Sequence, residues 1–277
     1  MREPNHLRRI AIATIILSAV ATPIVVVLIA PSLPPWNDSS ASSGQVNDNT
    51  VLLGILTPIV ALMIVYFAYT LTVFRNRGSE QGEGVAIRGD SRIHTPWLIV
   101  TTTIVLFLAV FGTVELADAG SGGGQGPTPA FKPTGSDNAL QVQVIGQQWE
   151  FTYRYPSYGG VETPHLELPV GRQVEFHVTS LDVIHSFWAP KLGVKADANP
   201  GVDNIAYVRP THKQSFDIRC NEVCGLWHGY MFDTGQVVSG PSFRAWIRGQ
   251  QALFGPIGPQ LPRFSGHYFP DPQRRAG

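Results

Sequence analysis

Two cysteines, Cys220 and Cys224, are all that this 277-residue chain contains. A fold stapled by disulfides would carry more of them. A lone pair this close in sequence needs a local explanation, either one small disulfide loop or a metal site. Charge is scarce as well. Charged residues make up 14% of the chain and the formal net charge is zero. The broad basic surface that nucleic acid demands is therefore missing. No charged residue interrupts three long apolar runs, Ile10 to Ala30, Val51 to Phe74 and Trp97 to Val114. Each is close to the roughly 20 residues a helix needs to cross about 30 Å of hydrocarbon. The lipid bilayer is thus an expected partner, with spans over about 10–30, 51–74 and 97–114.

Flanking charge predicts the orientation of these spans. Arg2, Arg8 and Arg9 precede the first run, Pro31 to Thr50 has no Lys or Arg, and Arg75, Arg77, Arg88 and Arg92 follow the second. The N-terminus is then cytoplasmic and everything after Ala117 lies outside. The expectation is a multi-pass protein of the cell membrane with its C-terminal domain on the outer, periplasmic side. A cleaved signal sequence is the alternative for the first run, but neither a convincing small-residue cleavage site nor a lipobox cysteine accompanies it. Cleavage would leave the C-terminal domain on the same side.

Residues 1–117 therefore read as a membrane anchor. Residues 118–138 are rich in Gly, Pro and Ser and read as a flexible tether. A folded domain follows over 139–255, with an irregular, proline-rich tail over 256–277. Period-two alternation marks Leu140 to Ile145, Glu167-Leu168 onward and Gln173 to Val178 as strands. Tyr207-Val208, Ser215 to Ile218 and Gln236 to Val238 add shorter ones. Turn signals separate them, a helix is expected near Ser242 to Leu253, and the pattern suggests a β-sandwich or barrel.

The chemistry concentrates in Cys220-Asn-Glu-Val-Cys224-Gly-Leu-Trp-His228-Gly-Tyr-Met231, with a second imidazole, His185, upstream. Thiolate and thioether ligands select copper, and imidazole suits it too. Zinc rarely takes Met. A single blue-copper site uses one Cys, two His and a long axial Met, so this set has one Cys too many. Two thiolates can instead bridge two coppers, each completed by one His, with Met and a backbone carbonyl in the axial places. The bland reading, a disulfide between Cys220 and Cys224, leaves the histidines and Met231 in register for no reason. His165, His177 and His212 match no ligand position and read as ordinary strand or loop residues.

The pattern C-x-E-x-C-x-x-x-H-x-x-M, preceded by D-V-x-H-S-F-W-x-P-x-L-G-x-K, resembles the copper-carrying domain of cytochrome c oxidase subunit II, from about Gln141 to Ser239. The resemblance implies a membrane-anchored, all-β, cupredoxin-like Greek-key domain with a binuclear CuA centre. His185 and His228 would each bind one copper, Cys220 and Cys224 would bridge both, and Met231 and the Glu222 carbonyl would complete them. The Glu222 carboxylate would help hold magnesium against subunit I. Gly146-Gln-Gln-Trp149 is similar to the family's G-x-Q-W segment, which makes Trp149 the surface residue that takes electrons from cytochrome c or a tethered haem donor. The implied activity is electron delivery within a respiratory oxidoreductase complex, from donor to the haem–copper subunit I, with oxygen reduced there and not in this chain. Trp227 is expected to shield the metals, and Asp182 to orient His185 or face subunit I.

Two departures stand beside this. The family's glutamate in an E-x-x-W-T segment is replaced by His94-Thr-Pro-Trp97-Leu, with Glu80, Glu83 and Asp90 out of pattern, which puts a proton-uptake role in doubt. From Asp137 to Gly277 there are 12 acidic and 12 basic residues and no acidic block to dock a basic donor. A CuA subunit of a nitric oxide reductase, a copper-free quinol oxidase subunit and a copper-delivery module are the rival readings.

Overall fold

The computed structural model describes residues 5–75, 78, 89–119 and 123–254. The described residues divide into two units, one made of residues 1–33 and 47–114, the other of 34–46 and 115–277.

The first unit is helical. Helix α1 (His6–Ile24) runs on through a wide turn over Val25–Ile29 and a tight one over Ala30–Ser32; α2 spans Ser40–Thr72 and α3 Ser91–Ala119. All three are long and apolar enough to cross a membrane. Their prolines, Pro23, Pro58 and Pro96, sit inside the helices, as spans tolerate. Polar hydroxyls turn inward: Thr57, Thr101 and Thr113 donate to the carbonyls of Leu53, Trp97 and Ala109 at 2.6, 2.9 and 2.7 Å. These three hydroxyls thereby find a partner within their own helix. Helices α1 and α2 meet where Val26 packs within 3.5 Å of the Cβ position of Gly54, and where His6 Nδ1 lies 2.8 Å from the Tyr69 hydroxyl.

Two of these helices begin earlier than their apolar runs. Helix α2 starts at Ser40 rather than Val51 because Ser39 and Ser42 cap each other. The Ser39 Oγ accepts from the Ser42 N–H at 3.0 Å and the Ser42 Oγ from the Ser39 N–H at 2.8 Å. Helix α3 starts at Ser91 rather than Trp97, with Asp90 accepting the Arg92 N–H at 2.9 Å. Hydropathy locates the lipid-compatible stretch and says nothing about polar helical turns outside it. Arg77, Arg88, Glu80 and Glu83 lie outside the described residues.

The second unit is a β-sandwich of the cupredoxin kind. Its strands are β1 (Leu140–Gln147), β2 (Glu150–Tyr155), β3 (Val161–Thr163), β4 (Glu167–Pro169), β5 (Val174–Ser180), β6 (His185–Ala189), β7 (Val194–Ala198), β8 (Asn204–Val208), β9 (Gln214–Cys220) and β10 (Phe232–Val238). One sheet has the order β3-β2-β1-β5-β8 and the other β4-β10-β9-β6-β7. Pairing is antiparallel except for β1 with β5 and β10 with β4. Leu140, Val142, Phe151, Tyr153, Phe176, Phe187, Phe216 and Ile218 fill the space between the sheets. Helix α4 (Gly240–Phe254) adds Phe243 and Ile247 to that core.

Strands β2 and β6 carry no clean alternation, since most of their residues are buried on either face, while β3 and β7 alternate over only three and five residues. The stretch read as a flexible tether is tied down over part of its length. Gly124 N–H donates to the Lys195 carbonyl and Gln125 N–H to that of Ile205, each at 3.0 Å. A polar, glycine-rich segment has no periodicity, yet its backbone completes the β7–β8 edges. The segment before α2 is equally part of this unit. Ser39, Ala41 and Ser42 are buried, Ser39 Oγ donates to the Leu192 carbonyl at 2.6 Å, and Gln45 to that of Gly193 at 2.8 Å. The tail 256–277 lies outside the described residues.

Candidate metal centre

Strand ends and one loop build the site. His185 opens β6 and Cys220 closes β9, and the two strands pair at Phe187 with Cys220. The loop from Asn221 to Met231 is closed at its base by the Cys220 N–H donating to the Met231 carbonyl at 3.0 Å. The Asn221 N–H fastens it to the Ser186 carbonyl at 3.0 Å, beside His185. A tight turn over His228–Tyr230 brings the second imidazole back. Stiff strands thus hold His185 and Cys220, and backbone bonds hold the loop that runs on to Met231.

The expected side-chain donors converge. Cys220 Sγ lies 3.8 Å from His185 Nδ1 and 3.8 Å from Cys224 Sγ; Cys224 Sγ lies 3.6 Å from His228 Nδ1 and 3.8 Å from Met231 Sδ. The Glu222 carbonyl oxygen is 3.2 Å from Cys220 Sγ. His185, Cys220, Cys224 and Met231 are buried, and His228 half-buried. Both cysteines are free, far beyond the ~2.05 Å of a disulfide. Two sulfurs 3.8 Å apart can share an ion, because two metal–sulfur bonds of roughly 2.3 Å reach that far. The donor set of two thiols, a thioether and two imidazoles fits copper.

Electrostatics prepares the set. Burial pushes the Cys220 thiol up, but hydrogen bonding with His185 and with the backbone at Glu222 and Ser186 outweighs it, and the net direction is down. Burial, then the neighbouring Cys220, pushes Cys224 up. The two thiols titrate as a pair, and the first proton leaves readily. Behind His185, Asp182 Oδ1 lies 2.9 Å from Nε2. Nε2–H therefore faces the carboxylate, and the Nδ1 lone pair is left toward the sulfurs. Burial raises the Asp182 carboxyl, but the N–H of Gln148, His185 and the Val183 N–H lower it further, leaving it below the usual range.

Trp149 is half-buried against the core. The Cβ position of Gly225 is 3.4 Å from the indole Cζ2 and Nε1. Trp227, expected to shield the donors, is 48% exposed and packs edge-on against Tyr230 at 5.5 Å, and Val223 and Leu226 of the same loop are exposed as well. A loop this short has to turn some of its apolar side chains outward. The Glu222 side chain is exposed. His177 sits elsewhere, on β5, between Glu175 and Asp203. Sequence reasoning passed over Gln148, whose Nε2 donates to the Cys224 carbonyl at 2.7 Å. Its place beside Trp149 was the one available signal.

Residues 164–238 match the family described as cytochrome c oxidase subunit II, periplasmic domain, and contain every one of the expected ligand positions. Among curated proteins, the cytochrome c oxidase subunit 2 of Alkalihalophilus pseudofirmus is 27% identical over 209 residues, covering 74% of this chain and 58% of that protein. That of Thermostichus vulcanus is 26% identical over 269 residues, covering 81% of each. The match thus spans little more than half of the first relative's length. Among solved structures, the periplasmic domain of subunit II of the Bradyrhizobium japonicum cytochrome oxidase is 30% identical, covering 42% of this chain and 95% of that one, with a TM-score of 0.41. Over residues 164–238 the chain is thus similar to the periplasmic domain of cytochrome c oxidase subunit II, and its curated relatives carry the same description.

Proposed function

We propose that this chain takes electrons from cytochrome c, or from a tethered haem donor, at a binuclear copper centre and passes them to a haem–copper subunit I that reduces oxygen. The observation that carries this reading is the mutual contact of Cys220, Cys224, His185, His228 and Met231 at 3.6–3.8 Å. Cys220 and Cys224 would bridge, His185 and His228 would cap, and Met231 and the Glu222 carbonyl would complete the set. A copper pair held there supplies a one-electron carrier whose charge is shared over both ions.

The chain's own residues do the rest. The β6 and β9 ends, with the backbone bonds at the base of the loop, would hold the donors in place and so keep rearrangement on electron transfer small. Asp182 keeps the Nε2 proton on His185, so Nδ1 stays available. Burial of Cys220, Cys224 and Met231 excludes water. Trp149, packed against Gly225, the residue that follows Cys224, is the one through which electrons would arrive. The exposed Glu222 carboxylate is free to reach a magnesium ion at the subunit I boundary. The three apolar helices would anchor the chain in the cell membrane, with the β-domain outside. A copper-free structural role gives no reason for thiols and imidazoles to converge.

The test is electron paramagnetic resonance of the full chain in detergent, loaded with copper. A seven-line hyperfine pattern, from one electron shared equally over two coppers, is expected. A four-line pattern overturns the reading and points to a single-copper or copper-delivery site.

A further inference from the structure

Resting on the copper-pair reading above, we infer that Gln148 is a positioning residue that ties the electron-accepting surface at Trp149 to both metal-binding loops. Three contacts carry this. Its side-chain Nε2 donates to the Cys224 carbonyl at 2.7 Å. Its backbone N–H donates to Asp182 Oδ2 at 2.7 Å. The other oxygen of that carboxylate lies 2.9 Å from His185 Nε2 and accepts the Val183 N–H at 2.6 Å. One residue therefore touches the cysteine loop directly and the first histidine through one carboxylate.

Its neighbour shares the arrangement. The Gly225 Cβ position lies 2.9 Å from Gln148 Nε2 and 3.4 Å from two indole atoms of Trp149. Gly225 has φ +122°, a left-handed conformation that only glycine adopts without strain. The absent side chain and the unusual backbone together let Gln148 and Trp149 lie against the loop right after Cys224. The cysteine loop is otherwise open on this side, since Asn221, Glu222, Val223 and Leu226 are exposed. The Gln148 amide is thus a clamp on a segment with few other side-chain restraints, and the partners that orient ligands typically govern metal affinity ten- to a hundredfold.

Gln148 is itself exposed, so replacing it leaves the core intact. Gln148→Met keeps the shape and removes the donor, and Gln148→Glu keeps the shape and puts an acceptor against the carbonyl. Both are made in the full chain in detergent and loaded with copper. Copper release into excess chelator is timed, the resonance spectrum recorded, and thermal unfolding of the copper-free chain measured alongside. Release about tenfold faster in both variants, with a shifted hyperfine pattern and unchanged unfolding of the copper-free chain, is the expected result. A merely structural role would move the unfolding and not the release. Release within about twofold of the parent and an unchanged spectrum in both variants overturn this inference and leave the copper-pair reading standing. A parent chain that gives a four-line spectrum overturns both. If the Met variant does not accumulate, the Glu variant gives the same decision.

Discussion

The β-unit buries two histidines in different chemical company. His177, on β5, has Nδ1 2.8 Å from Asp203 and Nε2 3.0 Å from Glu175. His185, at the start of β6, has Nε2 2.9 Å from Asp182 and Nδ1 3.8 Å from the Cys220 sulfur. Both are buried and both face a carboxylate. They differ at the second nitrogen. Between two carboxylates both nitrogens of His177 are engaged as donors, and no lone pair is left for a metal. His185 spends one nitrogen on Asp182 and turns the other toward soft sulfur. Burial beside an acid therefore does not identify a metal ligand; the partner of the remaining nitrogen does.

The comparison breaks first at the sulfurs. Cys224→Ser removes the thiol that touches Cys220, His228 and Met231. Bound copper should fall from about two ions to about one per chain, with loss of the seven-line pattern; atomic absorption and resonance spectroscopy check this. His177→Gln should do the reverse, leaving copper uptake alone and changing stability. Burial lowers the His177 pKa, but Asp203 and Glu175 outweigh it and raise it to about 9. That lies above the unfolded value of ~6.5, so the stabilisation is complete below about pH 6.5 and is lost as pH rises through about 9. The substitution should cost ~2–3 kcal/mol at pH 6 and little at pH 10. Urea unfolding of the full chain at the two pH values measures it, and equal losses at both would refute the charged-imidazole account.

How far the sequence discloses such differences depends on range. The proposed ligand set is a short chemical pattern, so Cys220, Cys224, His228 and Met231 are readable from spacing, and His185 from its neighbours. The charged state of His177 is not, because Asp203 meets it only when β5 pairs with β8. Strand β6 escapes periodicity because nearly all of it is buried, although it carries His185. Ser39 and Ser42 read as loop residues because nothing local announces that Leu192 will supply an acceptor.

Smaller effects sharpen the contrast between the ligand loops and the rest of the β-unit. Gly193 has φ +65°, and a Cβ there would sit 2.8 Å from the Ser42 nitrogen. Gly193→Ala should cost ~2 kcal/mol by urea unfolding while leaving the copper spectrum of the folded chain unchanged. Ser39→Ala loses a helix cap and the bond to Leu192 and should cost about 1 kcal/mol in the same assay. A changed copper spectrum in either variant would mean that this segment also sets the ligand geometry.

The Ser39–Leu192 bond joins residues 153 positions apart in the chain. During synthesis the serine leaves the ribosome long before its acceptor exists. Helices α2 and α3 are both made first, because they lie between the two partners in sequence. Closing so wide a loop is entropically slow. The contact can therefore close only late: a segment made early in translation seals onto the sandwich no sooner than Leu192 has been added.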